Sequence, residues 1–492
     1  MPNKSDMILS ARQIKEAEQG AASDKTALSG LMYNAGSALA KAVSERFGIV
    51  GKKITVVCGS GNNGGDGLAA ARELLKFGGS ISLCFPLGVP ATETAKPFTG
   101  VINDVEILND VPKECDILID CLFGTGLNRQ LEGKAKETVL AMNRCSAFKI
   151  AADIPSGVPA DGEFIPETAF AADVTYTFIA LKLCSVLPST SEYFGETVVI
   201  DIGAPPLNCT CLTIAPPSLK KRPKNSHKGT FGTLLLFCGS YGMCGAQIFA
   251  ASAAYASGVG MCRAFVCDKN YTAFCVSVPE AVTLPVPTLK SGTPDISEEL
   301  IKEELRKSTA VLIGCGLGNN GDSQNIVKAV LLSLSVPAVL DADGINCVSK
   351  DINILKKAKA PLILTPHPKE MARLCGKTVR EINDDRINCA KRFAEEYNCI
   401  LVLKGSNTVV ASPSGEVFIN TTGNPGMAVA GSGDVLSGII ASRLSQGDDP
   451  LSAALCGVYI HGLAGDKAAD KIGETALVPQ DIIKELKTCW GI

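Results

Sequence analysis

Residues 54–67 read ITVVCGSGNNGGDG and hold the pattern that decides the fold. Ile54 to Cys58 is a short apolar run, typical of a strand buried on both faces of a parallel sheet. The glycine-rich loop Gly59 to Gly67 follows it and leads into a helical pattern that continues to about Lys76. A strand, a glycine loop and a helix form the first half of a βαβ unit, whose loop amides and helix N-terminus can bind an anion.

Short apolar runs alternate with helical stretches along the rest of the chain. Five more strands are predicted before residue 216: Ile81 to Phe85, Ile117 to Cys121, Lys149 to Ala152, Val174 to Ile179 and Val198 to Ile202. Six are predicted after residue 228: Leu234 to Cys238, Cys262 to Val266, Val311 to Ile313, Ala338 to Leu340, Leu362 to Leu364 and Ile400 to Leu403. Such alternation predicts an α/β protein with two mainly parallel sheets, each covered by helices on both faces.

A change in composition separates the two sets of strands. Residues 216–228 read PPSLKKRPKNSHK, where proline and like charges replace the apolar periodicity seen on both sides. At roughly 150 residues per domain, a chain of 492 residues is expected to hold two to four domains. We predict two, at residues 1–215 and 226–492, joined by a linker at residues 216–225.

The charge balance and the cysteines limit the classes of function. The 47 basic and 50 acidic residues leave a net charge of −3, which argues against nucleic acid or an anionic membrane as a partner and favours a small molecule. The 20 cysteines form no disulfide framework and no CxxC pair, so we expect free thiols and a cytoplasmic location. Residues 233–262 carry no charge, but glycines interrupt them and favour a strand, loop and helix over a membrane span.

Polar side chains gather at three strand ends of the first domain. Asn62, Asn63 and Asp66 lie in the first glycine loop, while Asp120 and Asp153 each end a strand and precede a glycine turn. Carboxylate, amide and hydroxyl oxygens suit a hard cation, and a remaining carboxylate could act as acid or base. Two simpler interpretations stay open: a tight turn at the first loop, and a helix cap at either aspartate.

The second domain carries a pattern typical of phosphoryl transfer. Residues 424–434 read NPGMAVAGSGD and lead into a helical pattern, so the amides of Gly431, Ser432 and Gly433 could form an anion hole. Asp434 would then act as a base toward an acceptor hydroxyl. The turn KGSNT at 404–408 and the segment TPHPKE at 365–370, with His367 between two prolines, follow other strands. A plain glycine-rich helix start is the alternative.

One further loop supports a competing function. Residues 314–321 read GCGLGNNG, and Asp341 follows about twenty residues later, as in a dinucleotide-binding fingerprint. An NAD-dependent dehydrogenase therefore stays open. So do a small-molecule kinase with an N-terminal nucleotide-binding module and a scaffold role for the N-terminal half.

The first domain resembles the NAD(P)H-hydrate epimerase family, the YjeF N-terminal domain. The motifs that carry this resemblance are GSGNNGGDG (59–67), DCLFGTG (120–126) and DIPSG (153–157), together with LMYNAG (31–36). The resemblance covers about residues 1–215 and implies a Rossmann-like three-layer sandwich that interconverts R and S hydrates of NADH or NADPH. It implies Asp153 as the proton-transfer group and K⁺ held by Asn63, Asp120 and Ser156. Lys182, after the strand Val174 to Ile179, is a candidate helper, and a solvated lysine at a strand end is the alternative. The substrate contacts that the resemblance implies are Asn62, Asn63, Gly64, Gly65, Asp66, Gly124, Thr125, Gly126, Leu127, Asn128, Arg129, Gln130 and Asp153.

The second domain resembles the ADP- or ATP-dependent NAD(P)H-hydrate dehydratases, a ribokinase-like family with an α/β/α domain. This resemblance covers about residues 226–492 and rests on six motifs: HKGTFG (227–232), GSYGMCGA (239–246), GCGLG, TPHPKE, KGSNT and GSGD. It implies Mg²⁺ with ADP or ATP, and a hydrated cofactor held by Ala246, Gly318, His367 and Asp434. The nucleotide contacts it implies are Lys404, Gly405, Ser406, Asn407, Thr408 and Gly433.

The order of the two domains is that of the bifunctional NAD(P)H-hydrate repair enzymes. This resemblance implies that one chain epimerises the hydrates and dehydrates the S form. We also expect a homo-oligomer. The choice between ADP and ATP stays open, because the phosphate loops contact what both nucleotides share.

Overall fold

The computed structural model describes residues 6–21, 25–204, 209, 211–218 and 221–491. The chain divides into two compact units, Met1–Leu212 and Thr213–Ile492. The division lies slightly before the domain end expected at residue 215 and falls within a short strand of the second sheet, Cys211–Thr213. Residues 219 and 220 of the predicted linker lie outside the described residues.

The first unit is built on a seven-stranded parallel sheet. In chain order, the strands of the first unit are β1 Ile8–Leu9, β2 Lys53–Cys58, β3 Ser80–Cys84, β4 Glu106–Leu108, β5 Glu114–Cys121, β6 Ser146–Ala152, β7 Val174–Phe178, β8 Leu181–Lys182 and β9 Glu196–Ile200. Strands β1 and β8 form a separate two-stranded sheet, and the other seven form the large sheet. The helices of this unit are α1 Ala11–Ala21, α2 Lys25–Phe47, α3 Asn62–Lys76 and α4 Gly133–Arg144. The large sheet has the order β4-β3-β2-β5-β6-β7-β9, and β1 pairs in parallel with β8.

Strand alternation places a core on each face of this sheet. Ile54 and Val56 of β2 pack in one core with residues of α2 and α3, while Val57 packs in the other with Val139 and Met142 of α4. Because successive side chains point to opposite faces, an all-apolar strand needs a helix layer on both sides. The Rossmann-like three-layer sandwich is confirmed.

The second unit holds a ten-stranded sheet. Its strands are β10 Cys211–Thr213, β11 Thr233–Phe237, β12 Met261–Cys267, β13 Val282–Val286, β14 Ala310–Ile313, β15 Ala338–Leu340, β16 Leu362–Leu364, β17 Ile400–Leu403, β18 Val409–Ala411 and β19 Val417–Ile419. The order is β10-β19-β18-β17-β16-β15-β14-β11-β12-β13, parallel from β17 to β13, with an antiparallel hairpin of β18 and β19.

The described residues of the second unit form eleven helices: α5 Cys244–Ala256, α6 Tyr271–Ser277, α7 Glu298–Leu305, α8 Gly321–Ser333, α9 Asp343–Val348, α10 Pro368–Cys375, α11 Val379–Asp384, α12 Arg386–Tyr397, α13 Ser432–Ser445, α14 Pro450–Ile472 and α15 Pro479–Cys489. Leu234 and Leu236 of β11 share a core with residues of α5 and α13, and Leu235 and Phe237 are equally buried on the opposite face. The ribokinase-like α/β/α arrangement is confirmed.

All twelve predicted strands are present, with ends shifted by at most a few residues. The strands that the patterns did not predict are short or lie near a sheet edge, where few residues alternate and Pro285 interrupts β13. All 20 cysteines are free thiols. Within the described parts of the chain, no helix combines the length and apolar character needed to cross a membrane.

Candidate active sites

The first candidate site is a cavity of about 720 Å³ at the carboxyl ends of β2, β5 and β6. Among the residues predicted for it, those on its wall are Asn62, Asn63, Asp66, Gly124, Thr125, Gly126, Leu127 and Asp153. The wall does not include Gly64, Gly65, Asn128, Arg129 or Gln130. Gly64 serves packing instead, since a Cβ there would lie 1.8 Å from the Gly59 carbonyl oxygen. The Gln130 side chain is hydrogen-bonded elsewhere: its Nε2 donates to the Ile165 carbonyl oxygen, and its Oε1 accepts from the Glu167 backbone amide.

Asp153 is held in one orientation by buried groups. Its Oδ1 accepts hydrogen bonds from the Phe178 amide, at 3.0 Å, and from the Lys182 ammonium. Lys182 is 1% exposed and also donates to Thr177 Oγ1 at 2.9 Å. Asp153 has φ +72°, a strained conformation for a non-glycine residue that turns the chain after β6. The structure therefore makes Lys182 a buried partner of Asp153 rather than a solvated lysine at a strand end.

Two other carboxyl groups share this cavity with Asp153. Burial, followed by the charges of Asp153 and Glu18, raises the pKa of Asp66 well above its ordinary value. Burial and the charge of Asp153 also raise the pKa of Glu18. Asp66 is thus biased toward its protonated form in the cavity that Asp153 also lines. Sequence reasoning missed Glu18, because only the packing of α1 brings it to the wall.

Two of the residues predicted to bind K⁺, Asp120 and Ser156, are hydrogen-bonded to each other, and the third, Asn63, lies on the cavity wall. Asp120 Oδ1 accepts from Ser156 Oγ at 2.7 Å, and Asp120 Oδ2 accepts from the Ser156 amide at 2.7 Å. Asn63 Nδ2 donates to the Phe123 carbonyl oxygen at 2.9 Å. Despite the hydrogen bonds, burial raises the pKa of Asp120 to about 6. Carboxylate, hydroxyl, amide and carbonyl oxygens make a donor set that fits a hard cation.

The second candidate site surrounds the start of α13. Gly431 has φ +97° and caps the helix, which places Asp434 in its first turn. The Ser432 amide already donates to the Val429 carbonyl at 3.2 Å, so it is not free for an anion, contrary to the predicted three-amide hole. Ser432 Oγ lies 3.3 Å from Nε2 of His461, a histidine whose pKa burial lowers to about 4.

Asp434 has the properties of a base. A carboxylate oxygen of Asp434, a carboxylate oxygen of Asp341 and Sγ of Cys315 all lie within 4.8 Å of one another. Burial, then the charge of Asp341, raises the pKa of Asp434 to about 6. The carboxylate is therefore ionised at neutral pH but accepts a proton more readily than an exposed aspartate does.

Asp341 is committed to other side chains. Its Oδ1 pairs with Lys404 Nζ at 2.7 Å and its Oδ2 accepts from Ser437 Oγ at 2.7 Å. Burial opposes ionisation, but Lys404 lowers the pKa of Asp341 below its ordinary value. Because Asp341 is only 1% exposed and is held by Lys404 and Ser437, it is not placed to hold a ribose, which removes the main support for a dehydrogenase.

The remaining predicted residues lie around Asp434 on neighbouring strand ends. A Cβ on Gly433 would lie 3.3 Å from Lys404 Nζ, so the KGSNT turn adjoins the start of α13. His367 caps α10, where its Nδ1 accepts from the amides of Lys369 and Glu370, and its Nε2 lies 3.4 Å from Glu370 Oε1. The Gly318 amide donates to Asp343 Oδ2 at 2.8 Å. A Cβ on Gly316 would meet Ala246 Cβ at 2.9 Å, which places Ala246 beside the same loop.

Comparison with known proteins matches both halves of the chain. Residues 234–488 match the family described as NAD(P)H-hydrate dehydratase, and residues 28–184 match the family described as YjeF-related protein N-terminus. A crystal structure of ADP/ATP-dependent NAD(P)H-hydrate dehydratase from Bacillus subtilis, co-crystallised with ATP/Mg²⁺, is 32% identical, covers 55% of this chain and 93% of its own, and has a TM-score of 0.48.

Full-length relatives share the same order of domains. A bifunctional NAD(P)H-hydrate repair enzyme of Moorella thermoacetica is 36% identical over 92% of this chain and 90% of its own length. The enzyme of the same name from Coxiella burnetii is 33% identical over 97% of this chain and 98% of its own. With two matched domains in one order and nearly complete coverage of both chains, this protein belongs to the family of bifunctional NAD(P)H-hydrate repair enzymes.

Proposed function

We propose that this chain repairs hydrated NADH and NADPH with two separate catalytic centres. The first unit interconverts the R and S hydrates, and the second removes water from the S hydrate at the expense of ADP or ATP. The observation that carries the proposal is that each unit holds a carboxylate at a glycine-rich strand end, the buried and oriented Asp153 in one and the half-buried Asp434 in the other.

In the first unit, Asp153 acts as the proton-transfer group at the hydrated ring. Lys182 and the Phe178 amide hold its carboxylate in place, and the protonated Asp66 can return a proton within the same cavity. K⁺, held by Asn63, Asp120 and Ser156, would supply positive charge beside a substrate that carries phosphates. The predicted contacts that line the cavity, Asn62, Asn63, Asp66 and residues 124–127, remain part of this proposal.

In the second unit, Asp434 accepts the proton of the substrate hydroxyl as that oxygen attacks the terminal phosphorus of the nucleotide. The bond between that phosphorus and the departing nucleotide breaks. The ring carbon then loses phosphate and its neighbour loses a proton, which restores the ring double bond. Phosphate is the leaving group because it departs far more easily than hydroxide. The amides of Gly431 and Gly433 and the turn at residues 404–408 would hold the phosphates, while Ala246, Gly318 and His367 would contact the substrate.

The Asp434 cluster does not form a Mg²⁺ cage from protein groups alone. Cys315 contributes a soft thiol and both Asp341 oxygens are engaged, whereas Mg²⁺ prefers octahedral oxygen ligands. We therefore expect Mg²⁺ to arrive with the nucleotide phosphates, where it would supply positive charge.

The test uses purified protein with a mixture of R- and S-NADH hydrate, Mg²⁺, K⁺ and either ADP or ATP. We expect recovery of the absorbance of the whole mixture as reduced nicotinamide. Asp434→Asn should abolish recovery but still equilibrate the epimers, and Asp153→Asn should recover only the S fraction. No recovery with either nucleotide would refute the dehydratase, and nucleotide consumption without recovery would favour a kinase for another alcohol. A homo-oligomeric state and a cytoplasmic location remain predictions.

A further inference from the structure

Arg386 is a buried cation without an acidic partner. It begins α12, keeps only 6% of its surface exposed, and forms no ion pair in the described part of the chain. The neighbouring acids are engaged elsewhere, with Asp385 pairing with Arg392 at 2.9 Å and Asp384 with Arg380 at 3.6 Å. Burial lowers the pKa of Arg386 to about 10, so the guanidinium stays charged at neutral pH.

The guanidinium has donors to spare. Nη2 donates to the carbonyl oxygens of Leu403, at 3.1 Å, and Lys404, at 3.2 Å. Nε is sealed from solvent and has no hydrogen-bond partner among the described residues. A charge that is buried with unused donors is costly unless an anion compensates it. The arrangement therefore points to an anionic ligand that binds at this position.

The guanidinium lies directly under the KGSNT turn. Gly405 has φ +143°, and a Cβ there would lie 3.0 Å from Nη2 and 3.1 Å from Nη1 of Arg386. Only glycine therefore lets the turn rest on the guanidinium. Lys404, the other cation of this turn, is paired with Asp341. The N-terminus of α12 adds positive potential at the same place, because α12 runs back along β17 from the carboxyl end of that strand.

We propose that Arg386 binds a phosphate oxygen of the adenine nucleotide through Nη1. This inference rests on the proposed function, since it takes the KGSNT turn as the nucleotide loop. Arg386 would act as a binding residue that compensates phosphate charge where Lys404 does not. Sequence patterns did not single it out, because it precedes the loop by 18 residues and follows two aspartates that suggest ordinary surface pairs.

The test compares the dissociation constants of ADP and adenosine for the full chain and for Arg386→Met, measured by calorimetry with Mg²⁺ present. Loss of one charge-assisted hydrogen bond should weaken ADP about 10- to 100-fold and leave adenosine unchanged. Arg386→Lys, which keeps the charge, should recover part of the ADP affinity. Arg392→Met is the matched control, because Arg392 lies on the same helix but is exposed and paired with Asp385.

The outcomes separate this inference from the proposed function. Failure of the unaltered chain to bind either nucleotide would refute both. If the wild type binds ADP and Arg386→Met binds it equally well, only the role of Arg386 is overturned. Equal weakening of ADP and adenosine, or variants that do not fold, would assign Arg386 to supporting the loop and would also overturn the proposal.

Discussion

Replacing Asp434 with Asn is expected to stabilise the second unit while it abolishes dehydration. Burial, then the charge of Asp341, raises the pKa of Asp434 from 3.8 to about 6. At about 1.4 kcal/mol for each pH unit, this difference corresponds to about 3 kcal/mol. Because the carboxyl is partly exposed, we discount the expected gain at pH 8 to about 2 kcal/mol.

The sign of this effect follows from proton binding. A carboxyl with a raised pKa binds its proton more tightly in the folded state, so folding carries no penalty below pH 3.8. The penalty grows between pH 3.8 and about 6 and is complete above that range. Asn carries no charge at any of these values. The stability difference between Asp434→Asn and the wild type should therefore be near zero at about pH 4 and maximal at about pH 8.

Fluorescence of Trp490 provides the assay. It is the only tryptophan in the sequence and follows α15, so urea denaturation monitored at Trp490 reports on the second unit. Asp470→Asn, which alters an exposed carboxyl on α14 of the same unit, is the control and should leave the midpoint unchanged. A variant no more stable than wild type at pH 8, or a gain that does not depend on pH, would refute the reasoning.

Three further outcomes are expected. Lys182→Met should reduce epimerisation at least tenfold and destabilise the first unit by about 3–5 kcal/mol, because Asp153 loses its buried cation. Chiral analysis of the hydrates measures the first effect and thermal melting the second. A variant with unchanged epimerisation would contradict this expectation. Gly59→Ala should destabilise the first unit by about 3 kcal/mol, since its Cβ would lie 1.9 Å from the Leu122 carbonyl oxygen, whereas Gly61→Ala meets nothing within 4 Å and should melt normally. The kcat/KM of dehydration should fall about tenfold for each pH unit below about 6 as Asp434 is protonated, and a flat acid limb would exclude Asp434 as the base.

The local patterns were sufficient to predict the architecture and much of both sites. A glycine turn directly follows apolar runs such as Ile54 to Cys58, so periodicity and backbone requirements alone indicate a strand, a loop and a helix. Parallel strands then bring their carboxyl ends to one edge, and there Ser156 donates to Asp120 while Asn63 donates to the Phe123 carbonyl oxygen. Hairpin β18–β19 was not predicted, because no helical stretch separates its two strands from β17 or from each other, and the prediction followed apolar runs that alternate with helices.

The sequence by itself determined which residues could do chemistry: the glycine loops, Asp153, Asp434 and the KGSNT turn. Only the tertiary structure decided their partners, since Lys182 could equally have been a solvated lysine and Asp341 a ribose ligand. Lys404 reaches Asp341 across 63 positions of sequence, and Glu18 reaches the cavity only through the packing of α1. Such pairings depend on strand order and helix packing, which periodicity does not encode, and burial then sets the charges on which both sites depend.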